Sequence, residues 1–156
     1  MYALKAGVKQ DPHRRWRLPD RIFFGHGACH TLAGVFLKYP PLAGFYAERI
    51  IPADGFGGNH VYVTDGMIAF DHHGYTLRLR LLRYHTNGWA RRNGEGWTCR
   101  LERVGFDLLS TPVLNARKMR GPDQYLCDPI PRARRFIQRI DHTSAAIKAR
   151  RKERGA

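Results

Sequence analysis

The sequence predicts an α+β fold: one buried N-terminal helix packed on an antiparallel β-meander, followed by a basic C-terminal helix. Three observations carry this. A helical apolar stripe starts at Cys29, an Asp-Gly hairpin signal sits at Asp65-Gly66, and Leu77, Leu79 and Leu81 alternate with Arg78 and Arg80. The chain has 156 residues and 43% hydrophobic content, enough for one domain with a core.

Residues 1–20 read as an irregular N-terminal segment, because Asp11-Pro12 and Leu18-Pro19-Asp20 offer turns without periodicity. Residues 21–130 read as a single α+β domain. Within it, Leu32, Ala33, Phe36 and Tyr39 follow helical spacing, Cys29 falls on the same stripe, and Pro40-Pro41 stops the helix. Cys29 therefore sits at a helix N-terminus after the Gly25-His26-Gly27 turn. A second short helix is expected over residues 42–51, and a flexible loop over Asp54–Gly58. Turn signals at Asn87-Gly88 and Asn93-Gly94 bound further strands, with Trp97 to Val104 as the last; residues 105–130 give no clear pattern. Residues 131–156 read as a basic amphipathic helix, with Ala133, Phe136, Ile137, Ile140 and Ile147 at helical spacing and a frayed tail from Lys148.

The hairpin is the most informative local feature. A two-residue loop at Asp65-Gly66 pairs residues whose numbers sum to 131, which sets His60 directly opposite Asp71. Opposed side chains share a face, with Cβ atoms about 4.5–5.5 Å apart. The sequence thus predicts a His–Asp contact. A carboxylate fixes the tautomer of such an imidazole, and a thiol beside it is activated as the thiolate. A helix N-terminus favours that anion and offers N–H donors to an oxyanion. Cys29, His60 and Asp71 are accordingly the expected nucleophile, base and orienting group. Taken singly each has a plainer reading: a buried cysteine, a satisfied histidine, a strand-ending aspartate.

These pieces, Gly27-Ala28-Cys29-His30-Thr31-Leu32-Ala33 and His60-Val61-Tyr62-Val63 with Phe70-Asp71, resemble the papain-like cysteine hydrolases in their transglutaminase-like branch. The resemblance covers residues 25–74, and Val61-Tyr62 stands where those families show a His-Ala-Trp-like pattern. It implies a papain-like fold and amide or thioester chemistry at Cys29: hydrolysis, deamidation or acyl transfer, on a peptide, protein or other amide-containing substrate, with no cofactor. His26, Asn59 and Tyr62 are candidates for oxyanion support.

Two other readings compete. His26, Cys29, His30, His60, Asp71, His72 and His73 are seven metal-ligand types in one region, and His26, Cys29 and His60 form the alternative zinc set. The net charge of +14 is concentrated late in the chain. Residues 132–156 hold nine Arg/Lys and two acids, hence +7, including Arg132, Arg134, Arg135, Arg139, Lys148, Arg150 and Arg151. Such a segment can bind nucleic acid by counterion release, or an acidic protein. Three scattered cysteines exclude a disulfide framework and a CxxC metal site, and no apolar run is long enough to span a bilayer. A reducing, cytoplasmic setting is the expectation, with no secretory signal seen.

Overall fold

The computed structural model describes residues 3–94 and 96–151. The chain is α+β, with a five-stranded antiparallel sheet in the order β4-β3-β2-β1-β5. Two short helices come first, α1 (Pro12–Trp16) and α2 (Asp20–Gly25). They correct the irregular reading of the N-terminal segment. Asp11 caps α1 by accepting from the His13 and Arg14 N–H groups at 3.0 Å, and Pro12 occupies the first helical position.

Helix α3 (Cys29–Lys38) begins and ends where its stripe and Pro40 place it. It lies against β2, with Leu32, Ala33, Val35 and Phe36 in a core shared with Val61, Val63 and Phe70. The expected second helix is instead β1 (Tyr46–Pro52), the strand that joins β2 (His60–Thr64) to β5 (Cys99–Arg103). Its Tyr46, Ile50 and Ile51 favour a pleated, half-buried surface, which wins over short-range helical spacing.

Strand β3 (Ile68–Asp71) follows β2, and β4 (Gly74–Leu77) ends at the first residue of the expected alternation. Residues Arg78–Asn93 then form α4, not a strand. Leu81, Leu82, His85 and Trp89 make its inward stripe, while Leu79 is 71% exposed. The strand expected directly after residue 77 thus fails, while the expected last strand, Trp97 to Val104, is present as β5 beside β1. The alternation of Leu and Arg matched period two over five residues, but the stripe at i, i+1, i+4 and i+8 runs longer and is helical. Asn87-Gly88 lies inside this helix. Gly94 closes it with φ +78, and its N–H returns to the Ala90 carbonyl at 3.0 Å.

Helix α4 covers the sheet face opposite α3, through Ile50, Tyr62, Ala69, Leu81 and Trp97. Every residue of β2 is therefore buried. Short α5 (Thr111–Asn115) and a 3₁₀ turn at Pro122–Gln124 occupy the unassigned region. The C-terminal segment is two helices, α6 (Pro129–Gln138) and α7 (His142–Arg151), broken at residues 139–141. Helix α6 packs on α3, and α7 packs on β3 and β4 through Ala146 and Ala149. Lys148 to Arg151 are helical, and the rest of the expected tail lies outside the described residues. Among the described residues, no helix is long and apolar enough to cross a membrane.

Candidate active site

The hairpin between β2 and β3 has a different register from the expected one. Val63 pairs with Phe70 and Thr64 with Ala69, so partner numbers sum to 133. The two loop residues are Gly66 and Met67, and the Asp65 N–H donates to the Ile68 carbonyl at 3.3 Å. The Asp65 carboxylate accepts from the Met67 and Ile68 N–H groups at 3.0 and 2.9 Å, which moves Asp65 out of the loop centre. Gly66 takes the first central position with φ +96. The shift is by two, and the side-chain period is two, so no residue changes face. His60 and Asp71 become diagonal rather than directly opposed. They still meet: His60 Nε2–H donates to Asp71 Oδ2 at 2.9 Å, and both residues are buried.

Asp71 ends β3, and His72-His73 form the two-residue tip leading to Gly74. Its Oδ1 accepts from the His73 N–H at 2.8 Å, so both carboxylate oxygens are committed. Burial would raise its pKa. The His60 hydrogen bond, the nearby imidazole charges and the His73 N–H outweigh that and hold it well below the usual carboxylate range.

With Nε2 on Asp71, Nδ1 of His60 is left for the thiol. Cys29 opens α3, half-buried, and His30 and His60 are the side chains that act on its thiol. Burial pushes the thiol up; the two imidazoles overcome this and bring it down to about 5. For His60, burial acts downward, and bonds to Asp71 and Cys29 carry it up to about 10. Both shifts run in the direction of a thiolate–imidazolium pair. The first-turn N–H groups of α3 have no partner within the helix and point toward that end.

Several supporting contacts escaped sequence reading. His30 is buried, and its Nε2–H donates to the Arg120 carbonyl at 2.6 Å. The turn before Cys29 is pinned from two directions. Arg15 Nη2 donates to the Gly27 carbonyl at 3.0 Å, and the Tyr125 hydroxyl donates to the same oxygen at 2.7 Å. Gly27 has φ +100, and a Cβ there would lie 2.4 Å from Arg15 Nη2. Only glycine suits that position.

The glycine loop before His60 is packed, not loose. The Gly58 carbonyl accepts from His85 Nε2 at 2.6 Å, and the Gly57 carbonyl accepts from Trp97 Nε1 at 2.9 Å. The His85 ring in turn stacks on His60, with centroids 5.4 Å apart and planes 15° from parallel. Burial, then the His60 charge, lowers His85 to about 4, so it stays neutral beside the imidazolium.

Of the oxyanion candidates, Tyr62 is excluded by its partners. Its hydroxyl donates to buried Glu48, which also accepts from Arg78 at 2.8 and 3.1 Å. His26 and exposed Asn59 line a cavity of about 910 Å³ whose wall also includes His60, Asp71, His72 and Trp89. Cys29 is not part of that wall.

The zinc set His26, Cys29 and His60 does not converge among the described residues. The set that does is His60, Asp71 and His72. The basic segment is also partly consumed. Arg132 donates to Asp20 Oδ1 and the Trp16 and Leu18 carbonyls at 2.6–2.7 Å, and its guanidinium lies 4.2 Å from the Phe23 ring centre. Arg139 pairs with Asp20, and Arg150 with Asp65. Arg134 stacks on Tyr39; Arg135, Lys148 and Arg151 are exposed. No protein-family model, curated protein or solved structure matches the chain.

Proposed function

We propose that the protein is a papain-like-fold cysteine hydrolase or acyltransferase acting on an amide or related acyl bond. The observation that supports this best is the buried His60–Asp71 pair, 2.9 Å apart, with Cys29 at the start of α3 and its thiol drawn down by the His30 and His60 imidazoles. Cys29 supplies the attacking thiolate. As the tetrahedral adduct forms, the α3 N–H groups receive its oxyanion. His60 gives its Nδ1 proton to the leaving amine or thiol as the carbonyl re-forms, leaving an acyl-thioester on Cys29. Water or an amine then attacks that thioester while His60 takes its proton, and the thiolate leaves. Asp71 keeps the ring oriented and stabilises its charge.

The competing nucleic-acid reading is weaker, since Arg132, Arg139 and Arg150 of its seven basic residues serve intramolecular contacts.

Selective alkylation tests the enzymatic reading. With iodoacetamide at pH 7, Cys29 should label well ahead of exposed Cys99 and Cys127, located by peptide mass mapping. His60→Ala should slow Cys29 at least about 10-fold, since a thiol returned to the ordinary range is only a few per cent ionised at that pH. Equal labelling of the three thiols, or an unchanged rate in His60→Ala, rejects the proposal.

A further inference from the structure

We propose that His60, Asp71 and His72 form a binding site for a divalent transition ion such as Zn²⁺, reached through the large cavity and incompatible with turnover by the triad. The inference rests on the triad reading for its consequence, but not for the site itself. The donor atoms of the three residues all lie within 4.8 Å of one another. Asp71 Oδ2 is 2.9 Å from His60 Nε2 and 3.5 Å from His72 Nδ1. Metal–nitrogen and metal–oxygen bonds of about 2.0–2.1 Å in a tetrahedron put neighbouring donors about 3.3 Å apart, between those two separations.

His72 supplies the second observation. Its Nδ1 is buried and makes no hydrogen bond, although the ring is fixed over Gly25, whose Cβ position is 2.8 Å from it. A buried ring nitrogen without a hydrogen bond is costly, and such groups call for an explanation. An ion between it and Asp71 provides one. The ring stands perpendicular to His60, at 88°, with centroids 5.5 Å apart, so the two imidazoles approach a common point from different directions. All three residues line the cavity of about 910 Å³, which gives an entry path and room for water at a fourth position.

The consequence for the triad follows from one nitrogen. His60 Nε2 cannot serve Asp71 and a metal at once. When the metal–nitrogen bond forms, the Nε2 proton leaves to solvent and the ring keeps a single proton on Nδ1. Passing that proton to a leaving group would create an imidazolate. The acid step is therefore suppressed while Cys29 remains in place. Zinc favours such nitrogen and oxygen donors, and a site with three protein ligands keeps an open position.

The test is calorimetric titration of Zn²⁺ into the full chain at pH 7.5, with wild type, Cys29→Ser, His72→Leu and His72→Gln. Expected is one equivalent bound by wild type and Cys29→Ser, and binding weakened at least about 100-fold in both His72 variants, more than losing an outer-shell partner costs. Co²⁺ added to wild type should give visible d–d bands without a thiolate charge-transfer band, a readout that needs no variant. No binding by wild type, binding lost in Cys29→Ser, a cobalt–thiolate band, or full binding in the His72 variants would each overturn the site. Failure of selective Cys29 labelling would sink the triad and leave this titration unaffected.

Discussion

At the residue scale, the Cys29 thiol and His60 imidazole form one electrostatic unit. Cys29 is held down to about 5 and His60 up to about 10. The alkylation rate of Cys29 should therefore rise through about pH 5 and stay level through neutrality, whereas an ordinary thiol rises only near about 8.5. The same shifts predict stability. Between about pH 6.5 and 8.5 the folded pair and the unfolded groups each bind one proton, so the pair's contribution is flat there. Below that window the unfolded chain binds the extra proton, and the contribution falls toward about pH 5. Above it the folded pair keeps a proton that the unfolded chain has lost, and the contribution falls toward about pH 10. Urea melts of wild type and Cys29→Ala across pH should diverge most in the middle window. A difference that is constant with pH would contradict the ion pair.

At the element scale, the site depends on three turns more than on any strand. The Gly27 turn aims Cys29, the Gly57-Gly58 loop presents His60, and the His72-His73 tip fixes Asp71. Gly27→Ala should cost about 1–3 kcal/mol, because it places a side chain at φ +100 and drives it into Arg15. It should also slow Cys29 labelling, measured beside the thermal midpoint. Trp97→Phe removes the donor to the Gly57 carbonyl while keeping an aromatic ring in the α4-side core. A loss of about 1 kcal/mol is expected for one such hydrogen bond, read from urea denaturation. The register of the β2–β3 hairpin belongs to this scale too. Asp-Gly signalled the turn, but the Asp65 carboxylate bonding to two N–H groups moved its centre by one residue.

At the scale of the whole molecule, the sheet is covered on both faces: α3 and α6 on one, α4 on the other, with α7 against β3 and β4. Phe36 joins these layers by packing on Phe45 and Phe70, at centroid distances of 5.3 and 5.1 Å. Phe36→Ala should cost about 3–5 kcal/mol in denaturant unfolding, through the cavity it leaves. Arg132 joins the two ends of the chain by tying α6 to the segment between Trp16 and Asp20. Arg132→Met should destabilise by a few kcal/mol, because three polar groups on that segment lose their donor. A purely solvated arginine would show no change in the same melt.

By itself, the sequence determined the start of α3 at Cys29, the sharing of one sheet face by His60 and Asp71, and the α+β class. Each follows from local rules: a helical stripe stopped by proline, a period-two strand, and turn residues. Only tertiary structure decided the rest. Residues 78–93 carry both a five-residue alternation and a longer helical stripe, and packing of that stripe on the β2 face opposite α3 decided for the helix. The stacking of His85 on His60, and the pairing of Arg132 and Arg139 with Asp20 and of Arg150 with Asp65, join residues up to 119 positions apart. Such contacts depend on how layers pack, which no local period encodes.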